Sequence, residues 1–233
     1  MKKHLLIFTL LVFSAFLLAG GASALTLTFT DSAVPLTISV SGSGGFVTYS
    51  TGTSTLPGST WKVNATGYSN PVIGSAGDAA LDLSSLDATS TKAGTLIVTL
   101  SDTFTLPFSN ATYPSIADLM TIGGTITSSG TQTVTYVKWE GTAEFDQTNE
   151  IGTLSFTSPP PSFNGSLNGL FPNPGAGVTF SMTEIVTITD AASGHTSFNA
   201  TDDATVPEPA TMLLLGSGLL GMGVYARRRF AKK

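Results

Sequence analysis

GTLIVTLSDTFTL, residues 94–106, carries the strongest strand signal in the chain. Leu96, Val98 and Leu100 alternate along it, the period of two that a strand with a buried face requires. Ile97 on the other face predicts partial cover there as well. Ser101-Asp102 is placed to introduce a bulge or turn before Thr103–Leu106.

Upstream, the same period returns in shorter pieces. LTLTFT (25–30) sets Leu25, Leu27 and Phe29 against three threonines, and PLTISV (35–40) repeats the pattern with Leu36, Ile38 and Val40. After the SGSGG turn (41–45), FVTYS (46–50) reads as a strand. STWKVNATG (59–67) then alternates Trp61, Val63 and Ala65 with Lys62, Asn64 and Thr66. Residues 68–94 are rich in Gly, Ser and Asp. There LDLSSLDA (81–88) fits either a strand edge or one turn of helix, with strand followed by loop preferred.

Downstream, SIADLM (115–120) predicts a short helix capped by Ser115. TIGGTITSSG and TQTVTYVKWEG (121–141) predict strands about a turn at 128–130. In the second, Val134, Tyr136 and Lys138 share one face, with Val137 and Trp139 opposite. Residues 142–157 supply another extended element. Three consecutive prolines then make 158–177 a loop or a division point, because proline cannot serve a central strand or a helix. VTFSMTEIVTITD (178–190) continues the strands, TSFNA (196–200) is the last, and TDDAT (201–205) reads as a mobile polar stem.

Composition supports this pattern. Residues 25–205 contain 34 threonines and 24 serines, and β-branched threonine favours extended backbone. The expected fold is all-β, a β-sandwich of about ten or more short strands. A β-solenoid is the alternative, but the T-x-T segments share no fixed period.

Both ends differ from this body. Lys2 and Lys3, the apolar run Leu5–Leu18 and Ala22-Ser23-Ala24 form a secretory signal peptide over 1–24, with the cut expected between Ala24 and Leu25. At the other end stands VPEPATMLLLGSGLLGMGVYARRRFAKK (206–233). Residues 210–226 hold no charge and as a helix would span roughly 25 Å, the short end of what crosses a bilayer. Arg227, Arg228, Arg229, Lys232 and Lys233 follow as a cytoplasmic stop.

The order of Pro207-Glu208-Pro209, apolar run and arginine cluster resembles the carboxyl-terminal sorting signal of the PEP-CTERM family. The resemblance covers 206–233 alone. It implies export by a Gram-negative, exopolysaccharide-producing bacterium, a transient membrane anchor, and cleavage near Pro207–Pro209 by a membrane-embedded exosortase. On these readings the chain divides into signal peptide (1–24), exported β-rich domain (25–205) and sorting tail (206–233). Its destination is the cell surface or the extracellular space.

The exported body holds three bases, Lys62, Lys92 and Lys138, against 14 acids. A net charge of −11 disfavours nucleic acid as a partner, since phosphate binding needs a basic surface. Cysteine is absent, which excludes disulfides and a thiol nucleophile.

Candidate chemistry is sparse. His195 is the only histidine of the body and sits in a Ser-Gly-His turn, where solvent exposure is the ordinary reading. Glu140, Glu144, Asp146 and Glu150 cluster in sequence, and a suitable pair would serve glycoside cleavage, but their spacing matches a solvated face. No cofactor is expected. Calcium is the one ion the acids suggest, held by Asp78, Asp82 and Asp87 or by Asp190 with Asp202 and Asp203, with Asp78 and Asp82 the leading ligands. Trp61, Tyr68, Tyr113 and Trp139 are candidates for stacking on sugar rings, though aromatics in sheets more often fill cores. Sequons stand at Asn64, Asn110, Asn164 and Asn199 and arise readily from so much Ser and Thr; the same content offers sites for O-linked glycan.

The expectation is a non-enzymatic exported protein with a structural or adhesive role in biofilm or floc formation. A carbohydrate-binding module for extracellular polysaccharide is the alternative. A polysaccharide-cleaving enzyme ranks third.

Overall fold

A computed structural model describes residues 24–70, 73, 78–106, 109 and 114–205. Within them the chain forms twelve strands and no helix: β1 (Thr26–Asp31), β2 (Thr37–Ser41), β3 (Phe46–Ser50), β4 (Trp61–Ser69), β5 (Ala79–Ser90), β6 (Gly94–Thr105), β7 (Ser115–Ser128), β8 (Gln132–Gly141), β9 (Asn149–Thr157), β10 (Ser162–Pro172), β11 (Thr179–Asp190) and β12 (Gly194–Thr205). They make two six-stranded sheets, ordered β2-β1-β6-β11-β8-β9 and β10-β7-β12-β5-β4-β3. Every neighbouring pair is antiparallel. The fold is the all-β sandwich that the sequence predicts.

β6 lies inside the first sheet, paired to β1 on one side and β11 on the other. Leu96, Val98, Leu100 and Phe104 face the core, where they meet Leu81, Leu83, Leu86 and Phe198 of the second sheet in one apolar cluster. The Ser101-Asp102 bulge does not occur: β6 and β11 stay in register from Gly94 to Thr105. Asp102 keeps the inward phase because it is satisfied where it lies, accepting a bond from Ser69 Oγ at 2.5 Å.

Threonine finds its place on the outer surface of the first sheet. Hydroxyls pair across strands at Thr30–Thr37 (2.9 Å), Thr95–Thr189 (3.2 Å), Thr105–Thr179 (3.2 Å), Thr133–Thr157 (3.2 Å) and Thr135–Ser155 (3.2 Å). Such cross-strand pairs are the unit of sheet stabilisation.

Four expectations are corrected. SIADLM is not a helix but the start of β7, with Ile116, Asp118 and Met120 all turned inward. LDLSSLDA is strand throughout. One extra residue at Ser85, whose φ is +53°, shifts the pairing of β5 so that Leu86 and Ala88 rejoin the face of Leu81 and Leu83. The prolines 159–161 turn the chain between sheets, but residues 162–172 form β10, an edge strand where proline at position 172 is tolerated. Gly169 lets β10 lie against β9 of the other sheet: a Cβ there would sit 2.2 Å from Ile151 Cγ2. Lastly, TDDAT is the end of β12, hydrogen-bonded between β5 and β7, rather than a stem.

Leu25 is fully buried and its carbonyl accepts from Gly42 N at 2.8 Å, so that residue belongs to the core. The signal run up to residue 23, the span 210–226, the Pro207–Pro209 motif and Arg227–Arg229 lie outside the described residues. No helix among the described residues is long and apolar enough to cross a membrane.

Candidate functional site

The least ordinary feature of the sandwich is a lysine in its core. Lys138 follows Val134 and Tyr136 in the alternation of β8, and that phase carries its side chain between the sheets with none of it exposed. Its Nζ lies 3.0 Å from Asp118 Oδ2 on β7 and also contacts Asp202 Oδ2 on β12. Asp118 and Asp202 are near neighbours on the inner face of the second sheet, since Ala204 pairs with Asp118 and Asp202 with Met120. On the first sheet Glu184 of β11 pairs directly with Lys138 and is equally enclosed.

Burial governs the electrostatics of this cluster. Desolvation lowers the Lys138 pKa, opposed first by Asp118 and then by Glu184 and Glu140. Burial pushes Glu184 up to about 8, although the Tyr136 hydroxyl donates to its Oε1 at 2.8 Å and Lys138 favours its charge. Tyr136 is raised well above its ordinary value by burial and then by Glu184. The same hydroxyl reaches the Thr201 carbonyl across the gap at 3.4 Å. One base thus faces three enclosed acids, and Asp118 Oδ1, Asp202 Oδ1 and Glu184 Oε2 have no hydrogen-bond partner among the described residues.

A second feature lies on the outer surface of the second sheet. Thr121 and Gly123 of β7, Asn164 and Ser166 of β10, and Asn199 and Thr201 of β12 border a shallow open depression of about 540 Å³. The hydroxyls of Thr121 and Thr201 bond to each other, and Asn199 Oδ1 accepts from Ser85 N at 2.6 Å. The surface offers amides and hydroxyls with little charge.

The residues singled out from sequence do not converge. Trp61 is fully buried. Tyr68 on β4 and Trp139 on β8 belong to different sheets, and Tyr113 lies outside the described residues. Tyr68 packs instead on Phe46, ring centroids 5.3 Å apart. Glu140 accepts from Asn149 Nδ2 at 2.8 Å, Glu150 from Thr153 Oγ1 at 2.6 Å and Asp146 from Thr142 N at 2.9 Å. Burial raises Glu140 and Glu144, whereas the Thr142 and Thr148 bonds hold Asp146 below the usual carboxylate range. Each of these acids has its own partner, Thr26 in the case of Glu144, and no two of them are bonded to one another. His195 is the second residue of β12 and its Nδ1 lies 3.0 Å from Thr89 Oγ1. Asp82 is half-buried on β5 with its pKa raised by desolvation, and Asp78 directly precedes that strand. Among the described residues no three His, Cys, Asp or Glu side chains form a metal-binding group. Asn64, Asn164 and Asn199 are exposed, while Asn110 lies outside the described residues.

The cluster around Lys138 went unassigned in the sequence. Its signal was there: a base in phase with Val134 and Tyr136 on a strand's apolar face.

A family model, the PEP-CTERM protein-sorting motif, matches residues 205–229. The tail is a PEP-CTERM sorting signal. Such a signal implies an exported protein. No curated protein matches the chain. Among solved structures, the chain is similar to the enzymatically active domain of tailspike protein 4 from bacteriophage CBA120, at 12% identity and a TM-score of 0.32, covering 70% of this chain and 20% of that one. The chain thus spans about a fifth of the length of that domain. It is also similar to a xylan-binding domain from Paenibacillus barcinonensis, at 12% identity and TM-score 0.32, covering 70% of this chain and 88% of that one. An adhesin domain of the Lys-gingipain of Porphyromonas gingivalis gives 8% identity and TM-score 0.30, over 52% and 74%.

Proposed function

We propose that this PEP-CTERM protein is a non-enzymatic surface or extracellular-matrix protein that holds polysaccharide-rich biofilm or floc material together. One observation carries the reading: β12 runs to Thr205, and the sorting motif begins at the same residue. The sandwich is therefore the cargo of the sorting signal. In this account residues 1–24 are removed on export and 210–226 hold the chain in the inner membrane. An exosortase then cuts near Pro207–Pro209 and frees the domain 25–205.

A second reading, binding of extracellular polysaccharide by the domain itself, is favoured by the outer depression. Asn164, Ser166, Asn199 and Thr201 offer donors and acceptors matched to sugar hydroxyls, on a body whose acids repel polyanions. The test is retention of the purified exported protein on native extracellular polysaccharide, with and without Ca²⁺. Retention that falls when Asn164 is replaced by Ala supports binding through this surface. Loss of retention in chelator assigns the role to calcium, with Asp78 and Asp82 the first ligands to replace. Shortening of the polymer, abolished by changing Glu140, Glu144 or Glu150, overturns the non-enzymatic reading.

A further inference from the structure

We propose that the side chains of Lys138 and Asp202 join in an amide bond, formed within the folded protein and tying the two sheets together covalently. The two residues come from opposite layers, β8 of the first sheet and β12 of the second. Lys138 Nζ touches Asp202 Oδ2 and lies 3.0 Å from Asp118 Oδ2, and all three side chains are sealed from solvent. Asp202 Oδ1 has no donor among the described residues to hold the group as a carboxylate. Flanking positions on the same faces are apolar: Ala200 and Ala204 on β12, Ile116 and Met120 on β7. Nucleophile, carboxyl carbon and a second carboxyl group placed to relay a proton are thus held together away from solvent, the arrangement in which proximity replaces a chemical activator.

The step balances without an outside reagent. In this solvent-excluded interior the charged pair loses the hydration that favours separated charge, and a proton passes from Lys138 Nζ to Asp202. A neutral amine then faces a carboxylic acid, and burial favours that amine by lowering its pKa. The nitrogen lone pair attacks Asp202 Cγ, forming the N–C bond and a tetrahedral carbon. Asp118, 3.0 Å from the attacking nitrogen, relays a proton from it to the departing hydroxyl. The C–O bond breaks, water leaves and Asp118 is restored. One ammonium and one carboxylate become one amide and one water.

Position gives the bond a use. Asp202 lies near the end of the last strand, just upstream of residue 205, where the sorting motif begins. While the tail still holds the chain, a pull on it would reach β8 through a covalent link rather than through the β12 hydrogen bonds alone. The inference concerns the core alone and holds whatever the exported domain binds.

The test is proteolytic digestion of the full-length folded chain followed by tandem mass spectrometry. The expected product is a branched peptide joining the Lys138 and Asp202 segments, lighter than their sum by one water, about 18 Da. Asp202→Asn forms the same bond by releasing ammonia and yields the identical branched peptide. Asp202→Ala gives linear peptides only, and Asp118→Asn slows or stops the conversion. Recovery of linear peptides with an unmodified Lys138 from the folded wild-type chain overturns the proposal. Cross-linking in Asp118→Asn at the wild-type rate overturns the role of Asp118.

Discussion

The Tyr136 hydroxyl donates to Glu184 Oε1 at 2.8 Å, with both side chains wholly enclosed between the sheets. The bond favours the charged carboxylate, yet desolvation outweighs it and raises the Glu184 pKa from 4.5 to about 8. From pH 4.5 upward the folded chain keeps a proton that the unfolded chain releases. The stability that Glu184 contributes is therefore fully present below about 4.5 and lost as pH rises through about 8. Asp82 and Asp118 also push Glu184 upward, Lys138 opposes them only while it is an ammonium, and Asp82 and Asp190 are raised by burial in the same direction. Thermal unfolding should show a higher Tm at about pH 5 than at about pH 8. Glu184→Gln should shrink that difference by raising Tm at the higher pH. A wild-type Tm that climbs across this window would contradict the assignment.

The two tryptophans should behave oppositely. Trp61 is fully buried, whereas Trp139 is half-buried on the outward phase of β8. Acrylamide quenching of the folded protein should resolve one protected and one accessible fluorophore, and Trp139→Phe should leave only the protected one. Trp61→Ala should destabilise by about 3–5 kcal/mol, the range for emptying a large aromatic site. Equal quenching of both would place Trp61 at the surface after all.

At Gly124 a Cβ would come within 2.2 Å of the Ser197 carbonyl oxygen and 2.5 Å of Phe198 Cβ. The oxygen is backbone of the paired strand β12 and cannot swing aside. Gly124→Ala should cost about 1–3 kcal/mol, read as a lower denaturant midpoint at unchanged slope. An unaltered midpoint would mean that β7 and β12 separate freely at this point.

Strand identity was legible where side chains obey a period of two, as in β1, β4 and β6. It failed where a polar residue occupies a core position. Asp118 interrupts the apolar alternation of SIADLM and imitates a helix, and Asp202 makes TDDAT read as a solvated stem. Both are explained by Lys138, a long-range partner that local pattern cannot supply. Ser85 hides the phase of β5 in another way, because an inserted residue moves Leu86 off the simple alternation. The candidate site was legible only in part: Lys138 was seen in phase with Val134 and Tyr136, but its acids come from strands far away in sequence. The tail needed no tertiary information, since motif, apolar run and arginines are contiguous.

The central claim is that the sandwich is exported cargo, released from its sorting tail. Intact mass of the extracellular form tests this most directly. The extracellular chain should start near Leu25 and end in the neighbourhood of Pro207–Pro209, lacking Arg227, Arg228 and Arg229. Extracellular protein that retains those three arginines would contradict it.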